Sequence, residues 1–284
     1  MLEILISLAA VVAIVLAWVS LYDTHHFVVV HNKFSDGRIK KSCRFVMLSD
    51  LHGQQYGRDN EVLLQAVKDA QPQGILLVGD MITAHKKSKP EKLAKFLADL
   101  QEIAPVYYAN GNHEQKLNLF DVYGDVPEKW ETVLKESGVY HLVNEHIELP
   151  DVGIGIYGTQ IGHEYFARMK QKEMPKDYMQ SLLGKRDEDK YSILLAHNPD
   201  YFENYAAWGA DLVLSGHVHG GIMRLPFLGG VIAPSLKLFP KYDGGIFTEG
   251  KSTMVLGRGI GTHSPNVRFF NPGELIVLEF DGEN

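Results

Sequence analysis

The chain has 284 residues, room for one large domain or two small ones with a substantial core. At 45% hydrophobic and 22% charged it reads as globular, which excludes a low-complexity or fibrous chain. The net charge of −7 carries no basic footprint, so no nucleic-acid polymer is expected, and a single cysteine, Cys43, excludes an intrachain disulfide.

The N-terminus departs from that soluble picture. From Ile4 to Tyr22 run about 19 residues without a charge, close to the ~20 that cross a hydrocarbon core. Trp18 and Tyr22 sit towards one end, where amphipathic aromatics favour the interface. A cleaved signal peptide would have a basic leading region and a small-x-small site, whereas only Glu3 precedes this span. A buried soluble helix would carry a polar stripe. The pattern predicts an uncleaved single-pass anchor over residues 1–25, with residues 26–284 as the catalytic domain. Lys33, Arg38, Lys40, Lys41 and Arg44 follow the span and no Lys or Arg precedes it, which puts that domain on the cytoplasmic side by the positive-inside rule.

Beyond the anchor, His26 to His31 reads as β structure and Asp36-Gly37 as a hairpin-type turn. Arg44 to Ser49 is an apolar strand delivering Asp50 and His52. Asn60 caps a predicted helix with Val62, Leu63, Ala66, Val67 and Ala70 inside. The strand Ile75 to Val78 ends at Gly79-Asp80. Pro90 opens a helix with Leu93, Phe96, Leu97 and Leu100 on its inner face. Pro105 to Tyr108 leads to Gly111-Asn112-His113-Glu114, and Asp125 to Ser137 reads as helical. β structure resumes at Gly153 to Tyr157, before an inserted helical segment, Gly162 to Leu183. Strands Ser192 to Leu195 and Leu212 to Leu214 deliver His197, then His217 and His219. The tail, Ser252 to Phe280, reads as strands around a turn with Gly257, Gly259 and Gly261. Alternating strands and helices predict an α/β core with a largely parallel first half. The ligand-bearing segments fall just past strand C-terminal ends, where open α/β sheets place their sites.

Imidazole and carboxylate donors without a thiolate set suit divalent Mn, Fe, Zn or Co. Asp50 and His52, like His217 and His219, are two apart, so on an extended strand end both side chains face one way. A carboxylate such as Asp80 can bridge two ions, and such a pair clamps the attacking and leaving oxygens at phosphorus. Glycines beside these residues, among them Gly53, Gly79, Gly111, Gly216 and Gly220, fit tight turns and close approach to a phosphate. Each segment alone has a bland reading: Gly79-Asp80 a turn, Gly111 to Glu114 a helix cap with Asn112 capping, His217 to His219 an exposed strand. Five of them in order defeat those readings jointly.

In that order, DxH, GD, GNHE, H and GHxH, the segments resemble the calcineurin-like metallophosphoesterase superfamily over about Arg44 to Phe280. The resemblance implies a four-layer α/β/β/α sandwich behind the transmembrane helix and a dinuclear metal centre, manganese favoured. By it, Asp50, His52, Asp80 and His219 hold one ion, while Asp80, Asn112, His197 and His217 hold the other. His113 is the catalytic residue, stabilising the transition state or protonating the leaving oxygen. Many members read GDxxD where this chain has Gly79-Asp80-Met81-Ile82-Thr83, which leaves the role of Thr83 open. The anchor, the run Gly216 to Gly221 and the run Gly257 to Gly261 look like the bacterial membrane-anchored YkuE/YaeI-type phosphodiesterases. That branch is similar to enzymes that hydrolyse the pyrophosphate of UDP-2,3-diacylglucosamine. The expected function is hydrolysis of a phosphodiester or pyrophosphate bond at the membrane, on a substrate that is lipid-linked. A tethered general phosphodiesterase or phosphomonoesterase acting on soluble substrates is the alternative among enzymes, and a metal-binding scaffold the alternative of another class.

The other histidines carry less. His25, His26 and His31 read as surface residues, His141 and His146 as structural, and His85, His163 and His263 as candidates to face the cleft. Residues 162–186 bring Tyr165, Phe166, Met169, Met174 and Met179 among basic neighbours Arg168, Lys170, Lys172 and Lys176. They read as a helical cap or lipid-facing segment, or as a helix packed on the core. Leu225 to Tyr242, with Pro226, Phe227, Leu228, Pro234, Leu236, Leu238 and Phe239, walls the cleft, either to accept an acyl chain or as a packed loop.

Overall fold

The first 24-residue element, α1 (Leu2–His25), is a helix almost wholly exposed; of its residues only Ser20 and Asp23 are buried. It is long and apolar enough to cross a membrane, and it has no polar stripe to suit burial in a soluble core. The computed structural model describes residues 1–167, 171–225, 229–232, 238–262 and 266–282.

Two sheets follow. The first contains β1 (Phe27–Ser35), β2 (Cys43–Leu48), β3 (Gly74–Val78), β4 (Val106–Ala109), β5 (Tyr140–His141) and β14 (Gly273–Asp281), in the order β1-β14-β2-β3-β4-β5. The second contains β6 (Glu145–Leu149), β7 (Ile154–Gly158), β8 (Tyr191–Leu195), β9 (Leu212–Ser215), β12 (Gly245–Glu249) and β13 (Ser252–Leu256), in the order β12-β13-β9-β8-β7-β6. Strands β2 to β5 are mutually parallel, as are β7, β8, β9 and β13.

Side-chain alternation makes four layers from these sheets. Phe45, Met47, Leu76 and Val78 turn inward to meet Ile156, Ile193, Leu195 and Leu214 of the second sheet. Their neighbours Val46, Leu48, Ile75 and Leu77 face outward against α2 (Glu61–Asp69), α3 (Glu91–Ile103) and α5 (Val126–Ser137). The outer face of the second sheet, with Tyr157, Leu194, Val213 and Met254, packs on α6 (Tyr178–Leu183) and α7 (Phe202–Trp208). Strands β2, β3, β8 and β9 are therefore buried on both faces, which is why they read as unbroken apolar runs. This is the expected α/β/β/α sandwich.

Several local expectations change. The chain does turn at Asp36-Gly37, where Asp36 Oδ1 accepts the Arg38 N–H at 3.0 Å, but the flanking strands are not a hairpin. β14 lies between β1 and β2, parallel to the first and antiparallel to the second. Asn60 stands at the start of α2 in a left-handed conformation and does not cap it with its side chain. Its Oδ1 accepts the Tyr56 N–H at 2.9 Å instead. Val62 is exposed, and Leu63, Leu64 and Val67 form the buried face of α2.

Residues 162–186 are not one helix. Among the described residues they hold a single 3-10 turn (His163–Phe166) and the short α6, with Pro175, a helix-breaking residue, just before α6. Arg168, Met169 and Lys170 lie outside the described residues. So do His263 and, in the apolar loop, Pro226, Phe227, Leu228, Pro234 and Leu236.

Candidate metal centre

Every predicted ligand sits just past the C-terminal end of a strand, and the two sheets face each other so that these ends converge. Asp50 and His52 follow β2, Asp80 follows β3, and Asn112 and His113 open α4 (Asn112–Leu119) directly after β4. From the second sheet, His197 follows β8 while His217 and His219 follow β9. Asp50, His52, Asp80, His217 and His219 all have left-handed backbones, with φ of 54°, 51°, 54°, 73° and 52°. Such conformations are strained for non-glycine residues and cluster at functional sites.

Three overlapping groups result, each with donor atoms within 4.8 Å of one another: Asp50-His52-His219, His52-Asp80-His113 and Asp80-His197-His217. Asp80 links them. Its Oδ2 lies 3.1 Å from His197 Nε2 and 3.8 Å from His52 Nε2. Asp50 Oδ1 lies 3.4 Å from His219 Nε2 and 3.8 Å from His197 Nε2. His52 Nε2 and His219 Nε2 are 3.2 Å apart, two ring nitrogens aimed at one small volume. The carboxylates are buried, Asp50 at 0% and Asp80 at 2% exposure.

The supporting contacts fix which ring atom faces inward. His197 Nδ1–H donates to the Val78 carbonyl at 2.7 Å, which leaves Nε2 towards the aspartates. His52 Nδ1 lies 3.1 Å from the Thr83 hydroxyl, so Thr83 orients that ring from behind. The Ala84 N–H donates to His113 Nδ1 at 2.9 Å, so the neutral ring carries its proton on Nε2. Phe166 packs edge-on against His217, ring centres 5.3 Å apart, so the 3-10 turn of the former cap segment does reach the site.

Glu114 binds the first sheet's loops together. Its carboxylate accepts the N–H groups of Asp80 (2.9 Å), Met81 (2.7 Å), Ile82 (3.3 Å) and Gly111 (2.9 Å). Gly111, not Asn112, is the N-cap of α4, and Asp80 Oδ1 accepts the His113 N–H at 2.8 Å. The capping role read for Asn112 is thus taken by others. Its amide oxygen is buried with no hydrogen-bond partner, as a metal-directed donor would be. The glycines serve close approach of the loops to each other: a Cβ on Gly79 would stand 2.5 Å from Gly111 N and 2.8 Å from His197 Nδ1. On Gly53 it would meet nothing within 4 Å.

Electrostatics follow from burial and from the pairing. Burial pushes the Asp50 carboxyl up to about 6, against the pull of His197. Burial also works to raise Asp80, but His197, His113 and His52 outweigh it and hold that carboxyl well below its ordinary value. Burial opposes charge on His197, yet Asp80 and Asp50 carry it to about 10, while burial and the neighbouring His197 push His217 down to about 3. Two buried carboxylates here draw in a positive charge, which divalent ions are suited to supply.

The other histidines read in the sequence have these surroundings where described. His85 is exposed, and His141 Nε2 pairs with Asn110 Oδ1 at 2.7 Å. His146 stacks on Tyr157, and His163 packs edge-on against Phe120 at 5.6 Å. Glu114 was visible in sequence as part of a motif but without its role. Phe166 and Asn271, whose Nδ2 donates to the His219 carbonyl at 2.8 Å, carried no motif signal.

The profile of the calcineurin-like phosphoesterase family matches residues 43–221. An uncharacterized metallophosphoesterase of Campylobacter jejuni is 28% identical over 86% of this chain and 61% of its own length. Bacillus subtilis YkuE, also an uncharacterized metallophosphoesterase, is 25% identical over 85% of this chain and 80% of its own. Chlamydia muridarum LpxG, a UDP-2,3-diacylglucosamine pyrophosphatase, is 25% identical over 83% and 82%. The chain spans about three fifths of the length of the first curated relatives it matches.

Proposed function

Since the chain belongs to the calcineurin-like phosphoesterase family, we propose that it is a two-metal hydrolase of phosphodiester or pyrophosphate bonds held at a membrane by residues 1–25. The observation that carries this reading is the Asp80 carboxylate, whose Oδ2 lies within 3.8 Å of both His52 and His197 while the buried Asn112 amide oxygen beside it has no partner. Asp50, His52, Asp80 and His219 would hold one ion, and Asp80, Asn112, His197 and His217 the other. Two divalent ions there, manganese favoured and iron, zinc or cobalt also suited to these donors, supply Lewis acidity at phosphorus and a nucleophile from water at neutral pH.

The chain's own groups do the rest. His113, its Nδ1 engaged by the Ala84 N–H, offers Nε2–H to an oxygen on phosphorus or to the leaving oxygen. Thr83 holds the His52 ring so that Nε2 faces the cleft, which answers in this chain for the missing second aspartate. The substrate class favoured is a lipid-linked nucleotide such as UDP-2,3-diacylglucosamine, supported by the apolar N-terminal helix and by the likeness to LpxG. Placement on the cytoplasmic side draws on Lys40 and Lys41. Lys33, Arg38 and Arg44 are committed to ion pairs within the fold, Lys33 and Arg44 with Glu279 and Arg38 with Asp36 and Asp211.

The test is hydrolysis by the manganese-loaded full chain of UDP-2,3-diacylglucosamine beside a soluble aryl phosphodiester, with His113→Ala as control. Preference for the lipid nucleotide supports the membrane substrate. Equal or better turnover of the soluble diester leaves a tethered general phosphodiesterase, and no turnover of either leaves a metal-binding scaffold.

A further inference from the structure

The chain direction at the edge of the first sheet decides where the anchor enters. β1 and β14 run opposite to β2, β3 and β4, so β1 starts at the edge where those strands end. The helix α1 leads straight into β1 and therefore arrives at the ligand-bearing edge, not at the far one.

Side chains lock it there. Asp23, 7% exposed, accepts the Asn271 N–H at 2.8 Å, and Asn271 Nδ2 donates to the carbonyls of His219 (2.8 Å) and Gly221 (2.7 Å). On another side Gln54, two residues past His52, donates to the Thr24 carbonyl and accepts the Thr262 N–H at 3.0 Å. Trp18, just over one turn before Asp23, and Tyr22, directly before it, are both exposed, as aromatics at a headgroup boundary are. One asparagine thus joins the end of the anchor to a candidate metal ligand.

The rim beside it is apolar. The ribbon β10 (Met223–Leu225) and β11 (Gly229–Ile232) follows His219 closely, and Phe269 is tied to it through Arg224 N–H to Phe269 O and Phe269 N–H to Ile222 O, both 3.0 Å. Leu238 bridges back to Ile232. Leu238, Phe239 and Phe270 turn outward from this rim at 65%, 59% and 48% exposure. Phe239 and Phe270 do so on left-handed backbones, φ 47° and 55°, an unfavourable conformation for a bulky residue left in water. Single exposed apolar residues are ordinary, but three on one rim, continuous with a membrane-length helix, are not scattered.

We propose that this rim is a second membrane contact: Leu238, Phe239 and Phe270 seat in the leaflet that α1 enters, so the cleft opens at headgroup depth onto phosphate carried by a membrane lipid. The membrane half stands on the topology and contacts above, and the substrate half rests on the hydrolase reading.

The experiment uses the full chain in phosphatidylethanolamine–phosphatidylglycerol vesicles, with an environment-sensitive fluorophore on Phe239→Cys, on Phe270→Cys, and on Lys251→Cys as reference. Lys251 precedes β13 at the opposite edge, and the buried Cys43 of the unsubstituted chain serves as the labelling blank. Labels at 239 and 270 should be blue-shifted and quenched by spin-labelled lipid at least about threefold more than at 251, as for apolar side chains below the headgroups. Equal quenching at all three overturns the membrane contact. So does a blue shift at 239 and 270 without lipid quenching, which indicates burial against protein. The double variant Leu238→Asp, Phe239→Asp should lower turnover of vesicle-borne lipid nucleotide relative to soluble diester by roughly tenfold; an unchanged ratio overturns the substrate half. If the unsubstituted chain turns over neither, the hydrolase reading falls with that half while the labels still decide the membrane contact.

Discussion

The two sheets meet the cleft with different chemistry. The first contributes both carboxylates, Asp50 and Asp80, with His52, Asn112 and His113, while the second contributes only imidazoles, His197, His217 and His219. Their supports differ in kind. Backbone N–H groups converge on Glu114 and on the aspartates of the first wall, the His217 N–H reaching Asp50 from the second, whereas in the second wall His197 Nδ1–H donates across to the Val78 carbonyl of the first sheet and the His219 carbonyl accepts from Asn271. Each wall alone would be costly. Two buried carboxylates without a counter-charge, or three packed imidazoles without an acid, leave charge or lone pairs uncompensated in a low dielectric. The comparison teaches that the centre is made by the packing of one sheet on the other, joined by Asp50 to His219, by His197 to the Val78 carbonyl, and at the point where Asp80 meets both His52 and His197.

Removing that point should have the largest effect. Asp80→Ala is expected to lower phosphodiester hydrolysis by at least about a thousandfold, with an unchanged circular dichroism spectrum and loss of bound metal by elemental analysis. If activity persists, the two walls work independently. His113→Ala should cost roughly a hundred- to ten-thousandfold in kcat with metal content retained, which separates proton donation from ligation in stopped-time assays.

Smaller changes test the supports. Thr83→Val removes the oxygen behind His52 and should weaken manganese binding by about ten- to a hundredfold, read by titration with electron paramagnetic detection. Glu114→Gln keeps the shape but not the charge of the clamp on the first wall, and should lower stability by about 1–3 kcal/mol in chemical denaturation. An Asn271→Ala variant strikes the second wall alone, because the N–H that meets Asp23 belongs to the backbone and is kept. It should leave the unfolding midpoint nearer that of the unsubstituted chain than Glu114→Gln does, because the side chain's partners are two neutral carbonyls.

The smallest effect is a proton. With burial opposing them, Asp80 and Asp50 raise metal-free His197 from 6.5 to about 10, so it is protonated at neutral pH. Metal binding must displace that proton, and affinity should therefore rise with pH up to the folded value. In the metal-free chain the charged ring stabilises the fold fully below about 6.5 and loses this contribution as pH rises through about 10. Calorimetry in buffers of different ionisation enthalpy should show about one proton released on loading at neutral pH.

The candidate ligand residues were legible because each rides on the end of a short apolar strand, a signal that is local in sequence. Strands β2, β3, β4, β8 and β9 and helices α3 and α5 were legible for the same reason. The hairpin read at Asp36-Gly37 was not, because the partner that separates β1 from β2 is β14, at the other end of the chain. Residues 162–186 misled by composition: their apolar positions suit a helix, but Tyr165 and Met179 are held by contacts with the second sheet's outer layer. The short β5 and β6 and the helix α7 were missed, since two to seven residues carry little periodicity. Asn271 could not have been found, because its value lies in three partners brought together only by folding.

The most direct measurement is the number and coupling of metal ions in the full chain, by elemental analysis and electron paramagnetic resonance after loading with manganese. The account predicts two ions per chain with the exchange-split spectrum of a pair sharing a bridging group, and loss of that splitting in Asp80→Ala. One ion per chain, or two with the spectrum of isolated manganese, would contradict it.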